Sequence, residues 1–129
     1  MLHITDTHPL IWFLTGDSRL SSATHTILRD PDTQLIVPAM VLLEIAYLYS
    51  RRRIPLDLPS VLNHLNSAVN CTIAALDEDV IRYFPDGLDI HDAAIISTAL
   101  YYRDALGEDV TVLTKDNAIT NSGLVTVLW

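Results

Sequence analysis

Cysteine is almost missing from this 129-residue chain, glycine occurs four times, and Lys and Arg are outnumbered 8 to 16 by acids. The lone Cys71 cannot close an internal disulfide, so an intracellular setting is expected. No basic segment leads into an apolar one at the start, as an export signal would need. No apolar run reaches the roughly 20 residues of a membrane span. The longest, Leu35 to Tyr49, is broken by Pro38 and Glu44 and reads as a strand followed by a buried helix. The expectation is a cytoplasmic protein with no membrane association. The formal charge of −8 argues against nucleic-acid binding by bulk attraction. An anionic substrate would need a local positive feature, such as a bound divalent cation or the run Arg51–Arg53. The acidity would also suit a basic protein partner.

What is present is a core. Half the residues are hydrophobic and only 19% are charged, which excludes disorder and allows one domain over residues 1–129. No repeat, low-complexity tract or linker interrupts it. Strand-like runs fall at Leu2–Thr5, Gln34–Val37, Cys71–Ala74, Val110–Thr114 and Val125–Leu128. Helix-like segments fall at Thr7–Leu14, Ser22–Arg29, Ala39–Arg52, Pro59–Asn70, Glu78–Phe84 and His91–Leu106, with Gly107 placed as a C-cap. Alternation of this kind predicts an α/β fold with a parallel sheet.

Four acids stand out. Asp6 follows the first strand and Asp116 follows Val110–Thr114, so both would lie at the carboxyl edge of a sheet, where α/β folds bind ligands. Asp92 enters the first turn of a helix whose apolar stripe is Ile95, Ile96, Ala99 and Leu100. Each of these three has a plain alternative as a helix cap or cap neighbour, and Asp89 reads as a cap for the Asp92 helix. Glu44 does not. It sits inside AMVLLEIAYLYSRR, apolar nearly all round and therefore expected to be mostly buried, with no basic residue one turn away. A carboxylate there needs a cation, either a distant Arg or Lys or a metal ion. Hard oxygen ligands suit Mg²⁺ or Mn²⁺. The five histidines are scattered and match no zinc spacing.

The segments LHITDTHPLIWFL, VLLEIAYL, LDIHDAAIISTAL and VLTKDNAI, in that order and spacing, resemble the PIN-domain ribonucleases. More narrowly, they resemble the VapC-type toxins of type II toxin–antitoxin pairs, over essentially the whole chain down to VTVLW. The resemblance implies a three-layer α/β/α fold with a central parallel sheet of four or five strands. It implies an Mg²⁺-dependent endoribonuclease whose in-line attack leaves a 5′-phosphate. It places Asp6, Glu44, Asp92 and Asp116 as catalytic, metal-holding acids. Thr7 and Thr114 fall where the family often has hydroxyls; Asn117 and Asp89 are secondary candidates. Many relatives carry Arg directly after the third acid, where this chain has Ala93. The implied partners are an RNA substrate and a cognate antitoxin, whose basic side chain, expected to be Arg, would dock against the acids; the all-apolar helix region and the tyrosines also favour a homodimer.

The remaining residues leave alternatives open. Arg51–Arg53 would be a solvated helix end, or a contact for RNA phosphate or for an acidic stretch of a partner. Lys115 would touch a phosphate or be plain surface. His8 and His91 flank two of the acids and read chiefly as hydrogen-bonded structural histidines. Trp12, Phe13, Trp129, Tyr47, Tyr49, Tyr101 and Tyr102 read as core or interface, with no stacking platform among them. Two rival functions remain. An aspartyl-phosphate phosphotransferase is suggested by Asp6 and Lys115 at strand ends, but His8 stands where one such family needs a second Asp. A PIN-like binding module without activity would need the acids to have lost their metal.

Overall fold

The computed structural model describes residues 1–129. Five short strands, β1 (Leu2–Thr5), β2 (Gln34–Pro38), β3 (Cys71–Ala74), β4 (Val110–Leu113) and β5 (Thr126–Leu128), form one sheet in the order β3-β2-β1-β4-β5. Every pairing is parallel, with Ile4 in register between Ile36 and Val112. Helices flank the sheet: α1 (Thr7–Thr15), α2 (Ser22–Arg29), α3 (Ala39–Ser50), α4 (Leu58–Asn66), α5 (Glu78–Ile81), α6 (Ile90–Leu100) and α7 (Asn117–Ser122). Strands covered on both faces are buried along their length, as β4 is at all four residues, Thr111 included. Successive connections place β2 and β3 on one side of β1 and β4 and β5 on the other. The order therefore reverses between β1 and β4, and at such a switch point α/β sheets form their ligand crevice at the carboxyl edge.

Three expectations are corrected. Helix α3 is not mostly buried. Met40, Val41 and Ile45 are, but Leu43 and Tyr47 are 64% and 57% exposed, and Tyr49 is exposed as well. Its apolar surface exceeds what α1, α4 and α6 can cover. The helix enclosed on all sides is α6, where every residue from Ala93 to Ala99 is buried, including Ser97 and Thr98. The Thr98 hydroxyl survives burial by donating to the Ala94 carbonyl at 2.9 Å. Finally, the helix expected to run from His91 to Leu106 changes winding. Tyr101–Ala105 form a π-helical turn, with the Leu106 N–H bonded to the Tyr101 carbonyl, before Gly107 ends it at φ +69°.

Candidate metal centre

Strand β1 delivers Asp6 to the crevice, and its backbone N–H is tied to the Leu113 carbonyl of β4 at 3.0 Å. The Asp6 carboxylate is then divided between two tasks. Oδ1 accepts the Thr7 N–H at 2.7 Å as the N-cap of α1, and Oδ2 accepts the Thr114 hydroxyl at 2.6 Å. Thr114, buried at the end of β4, in turn accepts the Asp116 N–H at 2.9 Å. One hydroxyl thus couples the acids at the ends of two adjacent strands. Asp116 caps α7 through Oδ1, which accepts from Ala118 and Ile119 N–H groups. The capping readings of Asp6 and Asp116 are therefore correct, and they do not compete with a site. Capping is the means by which the chain fixes these carboxylates at the sheet edge.

Glu44 and Asp92 arrive on helix faces. Glu44 stands half-buried in the middle of α3, and Asp92 lies half-exposed in the first turn of α6. Asp89 does cap α6, accepting the His91 and Asp92 N–H groups at 2.9 and 3.0 Å. The four acids stand close enough to feel one another's charge. Burial pushes Asp6 up from the usual carboxylate range, against the pull of its Thr114 and Thr7 hydrogen bonds, and Asp116 adds to the rise. Burial also raises Glu44, with Asp6 reinforcing it. Asp92 is pushed up to about 6 by burial and then by Asp116, Asp89, Asp6 and Glu44. No Arg or Lys forms an ion pair with any of the four.

The remaining candidates take distinct places. Thr7 is buried on the Glu44 side, where it lowers the glutamate's pKa, yet its Oγ1 has no partner in hydrogen-bonding geometry. Asn117 is exposed at the first position of α7, and Lys115 is exposed beside it. His8 and His91 are not bonded into the fold as expected. Both are exposed on the rim, and both lower the Glu44 pKa by their proximity. Their position flanking Asp6 and Asp92 is the sequence signal that marks them as rim residues.

The donor chemistry fits a hard divalent cation. Four oxygen-bearing side chains with no protein cation among them, three of them with raised pKa, and an unpartnered buried hydroxyl are what such an ion would satisfy. The side chains stand apart, and no three of them are arranged in coordinating geometry. Uncompensated like charges repel, so a bound cation would favour drawing these side chains together.

A family model, the PIN domain, matches residues 4–121. A search of curated proteins finds no match. Among solved structures, the chain is similar to one described as VapBC2 from Rickettsia felis bound to a DNA fragment from their promoter. The identity is 14%, the alignment covers 100% of this chain and 99% of that one, and the TM-score is 0.72. At that identity the likeness is one of fold.

Proposed function

The chain belongs to the PIN-domain family, and from that premise we propose that it is a metal-dependent endoribonuclease acting as the toxin of a type II toxin–antitoxin pair. The observation that supports the reading is that carboxylates from four separate elements stand near enough for Asp92 to feel the charge of Asp116, Asp6 and Glu44, with no Arg or Lys paired to any of them. Asp6, Glu44 and Asp92 would hold Mg²⁺ or Mn²⁺, and Asp116 would complete the set or help hold a second ion. When bound, the ion would neutralise substrate phosphate and lower the pKa of a water that attacks it. The chain's own residues do the positioning. Thr114 orients the Asp6 carboxylate and the Asp116 backbone together. Asp89 fixes the first turn of α6 and so the bearing of Asp92. The Thr7 hydroxyl is free to donate to Glu44 once that carboxylate turns toward it.

The partners follow from the same surface. The Rickettsia felis structure contains a VapBC2 complex, which supports a protein antitoxin for this chain. Its basic side chain would sit among the carboxylates. The exposed Leu43, Tyr47 and Tyr49 of α3 support a homodimer. A monomer in sedimentation at micromolar concentration would count against the dimer alone. The test of activity is cleavage of RNA in Mg²⁺ or Mn²⁺, in EDTA, and by Glu44→Gln. Cleavage that needs the ion and is lost in the variant is expected. Cleavage that persists in EDTA would remove the metal-dependent reading. Specific RNA binding without cleavage under any ion would favour the inactive binding module.

A further inference from the structure

Outside the carboxylates, one groove of the molecule sets an unpaired arginine, Arg53, beside a paired one, Arg19. It has a volume of about 470 Å³, within the range of nucleotide-sized sites. One face of α1, from His8 through Trp12, forms one wall. Leu48 of α3 and Arg53 beyond it line the groove as well, together with Asp17 and Arg19. Both helices adjoin the acid cluster. Asp6 caps α1 two residues before His8, and Glu44 precedes Leu48 by one turn of α3. The groove thus runs beside the two helices that follow Asp6 and carry Glu44. Only about 9 Å of helix rise separates Glu44 from Ser50, just before the arginines.

Its two arginines are held differently. The Arg19 guanidinium lies over Trp12, 5.0 Å from the ring centroid. Asp17 grips it with two parallel hydrogen bonds, 3.1 Å from Nε and 2.8 Å from Nη2. Its charge is compensated, but its plane is fixed, and a fixed guanidinium plane is a surface on which a nucleobase stacks. Arg53 is exposed and has no carboxylate partner, unlike Arg82 and Arg103, which pair with Glu78 and Asp104. It keeps its charge for a ligand, with Arg51 and Arg52 exposed beside it. In a chain of formal charge −8, an anionic strand needs such a local anchor.

We propose that this groove holds a nucleotide of the single-stranded RNA substrate next to the cleavage point, its phosphate on Arg53 and its base on the Arg19 plane. The assignment rests on the nuclease reading above. Arg53 contributes charge, whereas the Arg19–Asp17 pair contributes a surface, and the two respond differently to salt.

The test is a titration with a short single-stranded RNA in EDTA, read by tryptophan fluorescence, because Trp12 and Trp129 pack together with ring centroids 5.7 Å apart. The same comparison is run on KM in Mg²⁺. Four proteins are compared: wild type, Arg53→Ala, the charge-neutral double variant Asp17→Asn/Arg19→Ala, and Arg29→Ala as an exposed control. Arg53→Ala is expected to weaken binding about fivefold to tenfold and to flatten the salt dependence by about 0.7 in log–log slope, the loss of one phosphate contact. The double variant is expected to weaken binding about tenfold with an unchanged slope. Arg29→Ala should stay within about twofold of wild type. If wild type handles RNA and the groove variants match it, or Arg29→Ala loses as much as they do, the groove assignment is overturned and the nuclease reading stands. If wild type neither binds nor cuts RNA, the nuclease reading falls and takes the groove with it.

Discussion

Asp6 and Asp116 reach the crevice from strand ends, and each has one oxygen committed to backbone N–H groups. Glu44 and Asp92 reach it from helix faces and cap nothing. The first pair is fixed by the same contacts that hold the fold together. The second pair is held only by the packing of α3 and α6, and burial penalises its charge, a penalty that a bound cation would offset. A site assembled this way has a rigid half and a responsive half. The comparison predicts that substitutions separate into two kinds, those that cost stability and those that relieve it.

The largest effect should come from the responsive half. Asp92→Asn and Glu44→Gln are expected to lower RNA cleavage by at least about 100-fold, since under the proposed function each would remove a charge that holds the ion. The metal-free variants should be at least as stable as wild type, because an uncompensated carboxylate has been neutralised. Loss of activity together with a large fall in Tm would mean that these acids are structural.

Thr114→Val comes next. It strips Asp6 of its hydroxyl donor and leaves the Asp116 N–H without its acceptor, at an expected cost of about 1–3 kcal/mol in denaturant unfolding. Thr114→Ser should recover most of it. A neutral Thr114→Val would show that the two strand-end acids are not coupled through this hydroxyl.

Asp116 sharpens the contrast within one residue. Asp116→Ala loses the α7 cap and should cost about 1 kcal/mol, whereas Asp116→Asn keeps the cap and should cost little. Both should weaken metal binding, measured by calorimetry. Equal stability losses in the two variants would mean that capping is not what holds Asp116.

The smallest effect is on pH dependence. Asp92 rises from the usual 3.8 to about 6 in the fold, so the folded chain holds that proton more tightly than the unfolded chain does. Stability from this group is complete below about pH 3.8 and is lost as pH rises through about 6. Asp6 and Glu44 act in the same direction. In metal-free protein, the Tm advantage of Asp92→Asn over wild type should therefore grow between about pH 4 and pH 7. An advantage that shrinks over that range would reverse the sign and contradict the account.

Much of this arrangement was legible in the residues. Leu2–Thr5, Cys71–Ala74 and Ser22–Arg29 have the boundaries that their apolar and polar patterns indicate. The acids at strand ends could be placed at the sheet edge because a parallel α/β sheet leaves its carboxyl ends open. The errors have two causes. Hydropathy reports how apolar a helix is, not how many neighbours the topology supplies, so α3 and α6 looked alike although only α6 is enclosed. The π-helical turn at Tyr101 and the stop of α4 at Asn66 depend on local winding that periodicity does not resolve. The stacking of Arg19 on Trp12 carries no sequence signal, because it depends on how the loop after α1 folds back on that helix.

The most direct test of the central claim is thermal unfolding of wild type and Glu44→Gln with and without Mg²⁺ or Mn²⁺. An ion that binds only the folded chain raises its stability by RT ln(1 + [L]/Kd). The account predicts a metal-dependent rise in Tm for wild type and little or none for Glu44→Gln. An equal response in both proteins, or none in wild type, would mean that the carboxylate cluster is not a metal site.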